Sequence, residues 1–174
     1  MKKLVLIAGV AAFAFPMIAN AGEFGLRVGL ETPLYTHVGQ NGSIPSASVS
    51  IGDSFQPAID VLVEYYPIGM IGVGLEVREG FAATGNYRRT GTALGPNLTV
   101  DLSPIPVYFR AAIPIHVEPD PVRLDFRAAG GLKLGISVIH IYLELLGDFA
   151  LAGSGVSAFG QQQIGIGTGV WLTF

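Results

Sequence analysis

The chain has 174 residues, of which 50% are hydrophobic and only 13% charged, with 24 glycines and no cysteine. Disordered chains are poor in hydrophobic residues and rich in charge, so this composition predicts a folded chain. Ten Lys and Arg residues stand against thirteen Asp and Glu, which gives a net charge of −3 and argues against a nucleic-acid partner. Without cysteine there can be no disulfide, thiol catalysis, cysteine-ligated zinc or lipid anchor on a cysteine.

The N-terminus has the pattern of a secretory signal. A basic start precedes an unbroken apolar run over residues 4–15, and the small residues of Ala19-Asn20-Ala21 follow. Signal peptidase recognises this order of basic region, apolar core and A-x-A sequence. The run is too short to span a bilayer as a helix, which needs about 20 residues. We therefore expect a signal peptide over 1–21 and an exported domain over 22–174.

After the signal, apolar and polar residues alternate in eight segments. No later stretch is long and apolar enough for a helical span, which needs about 18 uncharged residues. Alternation with a period of two predicts strands whose two faces differ in chemistry. The predicted strands cover residues 24–31, 59–66, 71–78, 97–103, 107–116, 123–136, 141–151 and 164–174. The expected fold is all-β, an eight-stranded antiparallel up-and-down transmembrane barrel.

The direction of the apolar face decides between a membrane barrel and a soluble one. In an outer-membrane barrel the apolar face meets lipid and the polar face lines the lumen. The export signal, the nearly charge-free apolar face and the mostly alternating short and long links all favour this arrangement. The short link at residues 118–121 departs from the alternation. A secreted β-sandwich or a lipocalin-like barrel is the alternative.

The last strand carries the most specific pattern in the sequence. Outward hydrophobic residues alternate along it and end with Val170, Leu172 and the C-terminal Phe174. This pattern resembles the signal that the barrel-assembly machinery recognises in small eight-stranded outer-membrane proteins of Gram-negative bacteria, the class that includes OmpX and the membrane domain of OmpA. The resemblance covers the whole chain but concerns architecture only. It implies the cell outer membrane as location, with lipid and lipopolysaccharide around the barrel and the assembly machinery as a partner during biogenesis.

Charged residues on the polar face are expected to point into the lumen. An eight-stranded barrel is just wide enough for side chains to fill, and an unpaired buried charge is costly. We therefore predict a network of ion pairs that plugs the lumen, formed by Arg27, Glu31, Asp60, Glu64, Glu76, Arg78, Asp101, Arg110, Arg127, Lys133, Glu144 and Asp148. The alternative is a narrow channel or transporter for small or hydrophobic solutes, since inward glycines on the first and last strands could leave space for water.

One specific ion pair follows from the parity of the apolar residues. The apolar positions change from even to odd numbers near residues 138–139, which indicates a hairpin turn of even length. A turn centred between these two residues would place Lys133 opposite Glu144 across the lumen face. We therefore predict that these two side chains form a cross-strand ion pair.

A second hairpin register follows from the link between the fourth and fifth predicted strands. A turn centred on Pro104 and Ile105 would place Arg110 opposite Thr99, one diagonal step from Asp101. All three residues have inward parity.

Catalysis and metal binding have little support in the sequence. The three histidines, His37, His116 and His140, are scattered without the spacing of metal ligands, and we expect no metal and no cofactor. A lipid A-modifying enzyme would need a histidine and a serine near the outer rim. His37, with the nearby serines 43, 46 and 48, is the closest approach to that arrangement. We expect no enzymatic activity and keep this reading as an alternative.

Three neighbouring residues are candidates for contact with a partner. Tyr87, Arg88 and Arg89 form a candidate loop for lipopolysaccharide phosphates or for another ligand. The main expectation is an integral outer-membrane barrel with a structural or surface-interaction role. A barrel subunit of a larger envelope complex is a further alternative, and no protein partner can be identified from the sequence.

Overall fold

The computed structural model describes residues 22–38, 57–81, 91–117, 122–153, 158 and 161–174. The predicted signal peptide and the candidate loop formed by Tyr87, Arg88 and Arg89 lie outside these residues. The described residues contain no helix of the length and apolar character that a membrane-spanning helix requires.

Eight antiparallel strands form one closed sheet in the order of the sequence, so the predicted fold is confirmed. The eighth strand pairs with the first and closes the barrel. The strands are Glu23–Val38, Ala58–Ile68, Ile71–Gly80, Gly91–Asp101, a fifth strand in two segments (Val107–Ala112 and Ile115–His116), Arg123–Ile136, Ile139–Gly153 and Gln161–Thr173.

The fifth strand is interrupted at Ile113 and Pro114. Proline has no backbone N–H to donate to a neighbouring strand, so the ladder cannot continue through this residue. The backbone nevertheless stays in place, because the N–H of Ile113 donates to the carbonyl of Pro96 at 3.1 Å. On the other side, the N–H of Asp125 donates to the carbonyl of Pro114 at 3.0 Å. The two segments therefore act as one strand.

The two ends of the barrel differ. The turn end holds the three short turns, at residues 69–70, 103–106 and 137–138, together with the strand ends next to Gly22 and Phe174. The strand ends joined by the longer connections lie at the opposite end, which we call the loop end. The described C-terminus is fixed by two backbone hydrogen bonds between Phe24 and Phe174, of 2.9 and 2.8 Å.

The two faces of the sheet follow the predicted parity. Most outward residues are exposed or half-buried, with Leu30 at 58% and Ile141 at 64% of their maximal surface, although Val63 and Val77 are buried. Inward Arg27 is fully buried. A soluble barrel buries its apolar face, but this barrel exposes that face and buries the polar one. The inversion is expected of a protein whose solvent is the lipid hydrocarbon.

The predicted Lys133–Glu144 pair is wrong. The strands pair Gly131 with Glu144 and Lys133 with Tyr142, two positions away from the expected register, although both charged side chains do point inward. The parity switch requires only an even-length turn and is compatible with several turn positions. The turn is formed by residues 137 and 138, because Ser137 adopts a left-handed conformation with a φ of 57°. The other predicted register, Thr99 opposite Arg110, is confirmed.

The conformation of Ser137 leads to a stability prediction. A left-handed φ costs a residue with a side chain about 1–2 kcal/mol, whereas glycine adopts it without strain but loses more entropy on folding. We expect Ser137→Gly to raise the free energy of unfolding by about 0.5–1 kcal/mol, measured by urea titration of the refolded barrel. The neighbouring Val138→Gly is the control and should lower it. Equal effects of the two glycines would contradict this assignment of the turn.

Candidate functional site

The lumen near the turn end is closed by a layer of four aromatic side chains. This aromatic layer consists of Tyr66, Tyr108, Tyr142 and Trp171, all of which are buried. Tyr108 packs edge-on against Trp171 with ring centroids 5.2 Å apart, and Tyr66 lies 6.3 Å from the same tryptophan. The sequence prediction did not include this layer. The available signal was that all four residues have inward parity and lie close to the turn end.

Arg27 joins the aromatic layer to the charged network. Its guanidinium carbon lies 4.8, 4.2 and 4.7 Å from the ring centroids of Tyr108, Tyr142 and Trp171. A cation over an aromatic face is attracted by the ring quadrupole, and the attraction is stronger when water is absent. The Nη2 of Arg27 also donates hydrogen bonds of 2.9 Å to Tyr108 and to the Glu144 carboxylate. This single side chain therefore connects four strands.

Aromatic side chains occupy the space beside two inward glycines of the first strand. The hydroxyl of Tyr142 occupies the space where a side chain at Gly29 would begin. The Trp171 ring lies 3.1 Å from the position that a Cβ would take at Gly25. Large side chains from other strands therefore fill the volume that the glycines leave free.

Arg110 lies among carboxylates in the middle of the lumen. Its Nη1 donates to Glu76 at 2.6 Å and its Nη2 to Glu144 at 2.5 Å. Asp60 and Glu31 lie further away, at 3.5 and 3.7 Å from the guanidinium nitrogens. All five residues are buried, so these are ion pairs within the interior of the barrel.

Arg127 forms the second junction of the network, closer to the loop end. Its Nε donates to Asp148 at 2.7 Å, and its Nη1 donates to Glu31 at 2.7 Å and to Glu76 at 2.6 Å. Arg78 adds ion pairs of 3.4 Å to Asp148 and 3.7 Å to Glu31. Because Arg110 and Arg127 both bind Glu76, the two junctions form one continuous network.

Lys133 closes the network at the turn end. Its ammonium group pairs with Asp101 and lies 4.4 Å from the centroid of the Trp171 ring. The expected partner of Lys133, Glu144, is instead bound by Arg27 and Arg110.

Three further residues extend the network at the loop end. Arg123 donates two hydrogen bonds of 2.7 Å to Asp125, and His116 Nε2 lies 2.8 Å from the same carboxylate. The sequence prediction of the network did not include this group, although all three residues have inward parity. His116, one of the histidines considered for catalysis, is thus held inside the barrel mouth.

Glu64 departs from the predicted pattern, because neutral groups hold it. Its carboxylate accepts hydrogen bonds from Tyr66 at 3.0 Å, from the Asn97 amide at 2.9 Å and from the Thr99 hydroxyl. The twelve predicted charged residues all lie inside the barrel, and among their described contacts only Glu64 has no ion pair at 4.0 Å or less.

The other candidate residues lie elsewhere. Val170 and Phe174 are exposed on the outer surface, with Leu172 between them half-buried. The backbone of His37 pairs with Gln162 near the loop end, and its side chain and the serines 43, 46 and 48 lie outside the description. His140 is half-buried at the turn end. In the described part of the chain, no three His, Cys, Asp or Glu side chains are arranged to hold a metal ion.

No protein-family model matches the chain, and neither the curated proteins nor the solved structures contain a significant match.

The network leads to a prediction about which charges stabilise the fold. Removing one partner of a buried ion pair leaves uncompensated charge and costs about 3–5 kcal/mol. We expect Arg127→Met to lower the free energy of unfolding by about this amount, because three buried carboxylates lose their common partner. Lys133→Met is the comparison, because it removes the partner of one carboxylate only, at the turn end where the Lys133 side chain is 14% exposed, and it should cost clearly less. Urea titration of both variants tests this; equal losses would contradict the central role of Arg127.

Proposed function

We propose that this chain is an integral outer-membrane barrel with a closed lumen and a structural or surface-interaction role, rather than a channel or an enzyme. The observation that carries the proposal is the lumen itself, in which buried arginines and carboxylates are bonded to one another across the barrel. A solute could pass only by breaking several of these pairs at once.

The outer surface supports a position inside a bilayer. The sixth strand presents apolar or small residues outward from Leu124 to Ile136. With a rise of about 3.3 Å per residue and a tilt of about 40°, this row is about 30 Å tall. The apolar band of outer-membrane barrels is about 25 Å tall, so the row is long enough to cross it.

Two sequence patterns support the outer membrane as the destination. The predicted signal peptide directs export, and the alternating apolar residues of the last strand resemble the assembly signal of the outer-membrane class. Closed barrels are one of only two backbone arrangements that leave no hydrogen-bonding group unpaired in lipid. Lipopolysaccharide and the assembly machinery are the partners that this location implies.

The contacts inside the barrel favour the plug over the channel. The aromatic layer closes the lumen near the turn end, and the Arg110 and Arg127 junctions fill its middle. The glycine-lined side, which was the main argument for a pore, is covered by Tyr142 and Trp171. The proposal gives no catalytic role to the described histidines; His116 is part of the ion-pair network at the loop end, and His140 lies at the opposite end of the barrel.

A charge placed on the outer surface tests the membrane location. Leu145 and Ile139 lie on the same strand with 58% and 56% exposure, near its middle and at its turn end. In lipid, a lysine at the bilayer midplane costs about 2–4 kcal/mol and one near the interface about 0–1 kcal/mol. We expect Leu145→Lys to destabilise the barrel in phospholipid vesicles by the larger amount and Ile139→Lys by the smaller. Two equally small effects would contradict a lipid-facing surface.

Conductance in a planar bilayer tests the closed lumen. We expect no stepwise current for the wild type, because the aromatic layer and the ion-paired arginines occupy the lumen. The double variant Tyr142→Ala and Trp171→Ala removes half of the aromatic layer and should conduct more. Discrete wild-type current steps as large as those of the double variant would overturn the plugged lumen and favour the channel.

A further inference from the structure

Among the residues that the structure describes, the lumen contains two more carboxylates than basic side chains. Six basic residues of the described chain point inward: Arg27, Arg78, Arg110, Arg123, Arg127 and Lys133. Eight buried carboxylates face them: Glu31, Asp60, Glu64, Glu76, Asp101, Asp125, Glu144 and Asp148. Burying charge without compensation is costly, so the excess needs an explanation.

The excess can be located, because two of the eight carboxylates receive no hydrogen bond from an arginine or lysine. Glu64 is one of them, and its three neutral donors stabilise its oxygens. Asp60 is the other. Neither of its oxygens has a hydrogen-bond partner among the described residues, although its side chain is only 1% exposed.

The nearby arginine cannot compensate Asp60 fully. Nη1 of Arg110 lies 3.5 Å from Asp60, but the same nitrogen donates to Glu76 at 2.6 Å. Across the sheet, Asp60 is opposite Arg78 on one side and Gly29 on the other. Arg78 in turn is shared between the carboxylates of Glu31 and Asp148.

The surroundings of Asp60 are rich in acid and contain an unused hydroxyl. The Tyr142 hydroxyl occupies the space beside Gly29, directly across the strand pair from Asp60, and it also has no hydrogen-bond partner within the described ranges. The titratable and charged groups that surround Asp60 come from five other strands: Glu31, Glu76, Arg78, Arg110, Arg127 and Tyr142.

We propose that Asp60 binds a monovalent cation inside the lumen, supplied as a proton or as an alkali ion. A single positive charge at this carboxylate removes half of the excess, and the three donors on Glu64 accommodate the other half. A divalent ion is a poorer fit, because it would bring two positive charges to the one carboxylate without a hydrogen-bond partner among the described residues, whereas Glu64 already has three donors. The proposal rests on the closed lumen of the proposed function.

The binding site can be tested through the dependence of folding on the cation. If the folded barrel holds one ion that the unfolded chain does not, the unfolding constant falls about tenfold for each tenfold rise in the activity of that ion. Urea unfolding is measured in two series, at pH values where a free aspartate is ionised. One series varies pH at fixed sodium, and the other replaces sodium or potassium with N-methylglucamine at fixed pH and ionic strength.

Asp60→Asn removes the carboxylate and should remove the dependence. In the pH series, the unfolding constant of the wild type should fall about tenfold more than that of Asp60→Asn for each tenfold rise in proton activity. This result identifies the ion as a proton. The same difference in the sodium series identifies an alkali ion. Glu64→Gln is the matched control, since it removes the other excess carboxylate and should keep the wild-type slope.

The proposal is overturned if wild type and Asp60→Asn have the same slope in both series, or if Glu64→Gln loses the slope instead. Asp60→Ser replaces Asp60→Asn if the amide prevents folding. Failure of the proposed function would appear separately, as discrete current through the wild-type barrel in the bilayer.

Discussion

The structure depends on neutralising charge inside a sheet whose outside is apolar. A membrane barrel cannot use a hydrophobic core to distinguish inside from outside, because lipid is as apolar as any core. The polar face must therefore form the interior, and each buried charge needs a partner there. Arg110 and Arg127 meet this requirement by binding carboxylates from several strands at once, with Glu76 between them. The strands that carry these carboxylates are thus tied to the same two guanidinium groups.

The glycines and the aromatic layer satisfy a second requirement, which is volume. Eight strands enclose a space just wide enough for side chains, so a large residue on one side needs a small one opposite. Gly25 and Gly29 on the first strand meet Trp171 and Tyr142, which come from the eighth and seventh strands. Arg27, between the two glycines, fits its guanidinium against the same rings. The side chains beside the pairing of the first and last strands are therefore complementary in size as well as in charge.

Parity along each strand made the fold and the lumen-facing residues predictable, because a strand in a barrel has only two faces. The hairpin register of Arg110 followed from the position of Pro104. The register of Lys133 depended on the left-handed backbone of Ser137, a conformation that a serine in the sequence does not indicate. Partners across the lumen could not be predicted at all. Arg27 and Glu144 are separated by 117 residues, and their contact depends on the tilt and stagger of every strand between them. The neutral donors of Glu64 were missed for the same reason, since Asn97 and Thr99 belong to another hairpin.

Stability alone does not explain why the lumen is charged. Buried ion pairs are often no more stabilising than apolar residues of the same volume, so a lumen of leucines would hold the strands equally well. Such strands would have two apolar faces, and slipping by one residue would cost little. With Arg127 and Glu144 inside, the same slip of either strand moves its charge into lipid, where an arginine at the midplane costs about 2–4 kcal/mol and a glutamate less. The charged lumen therefore specifies the register of the barrel, and the cross-lumen pairs then hold the strands in that register.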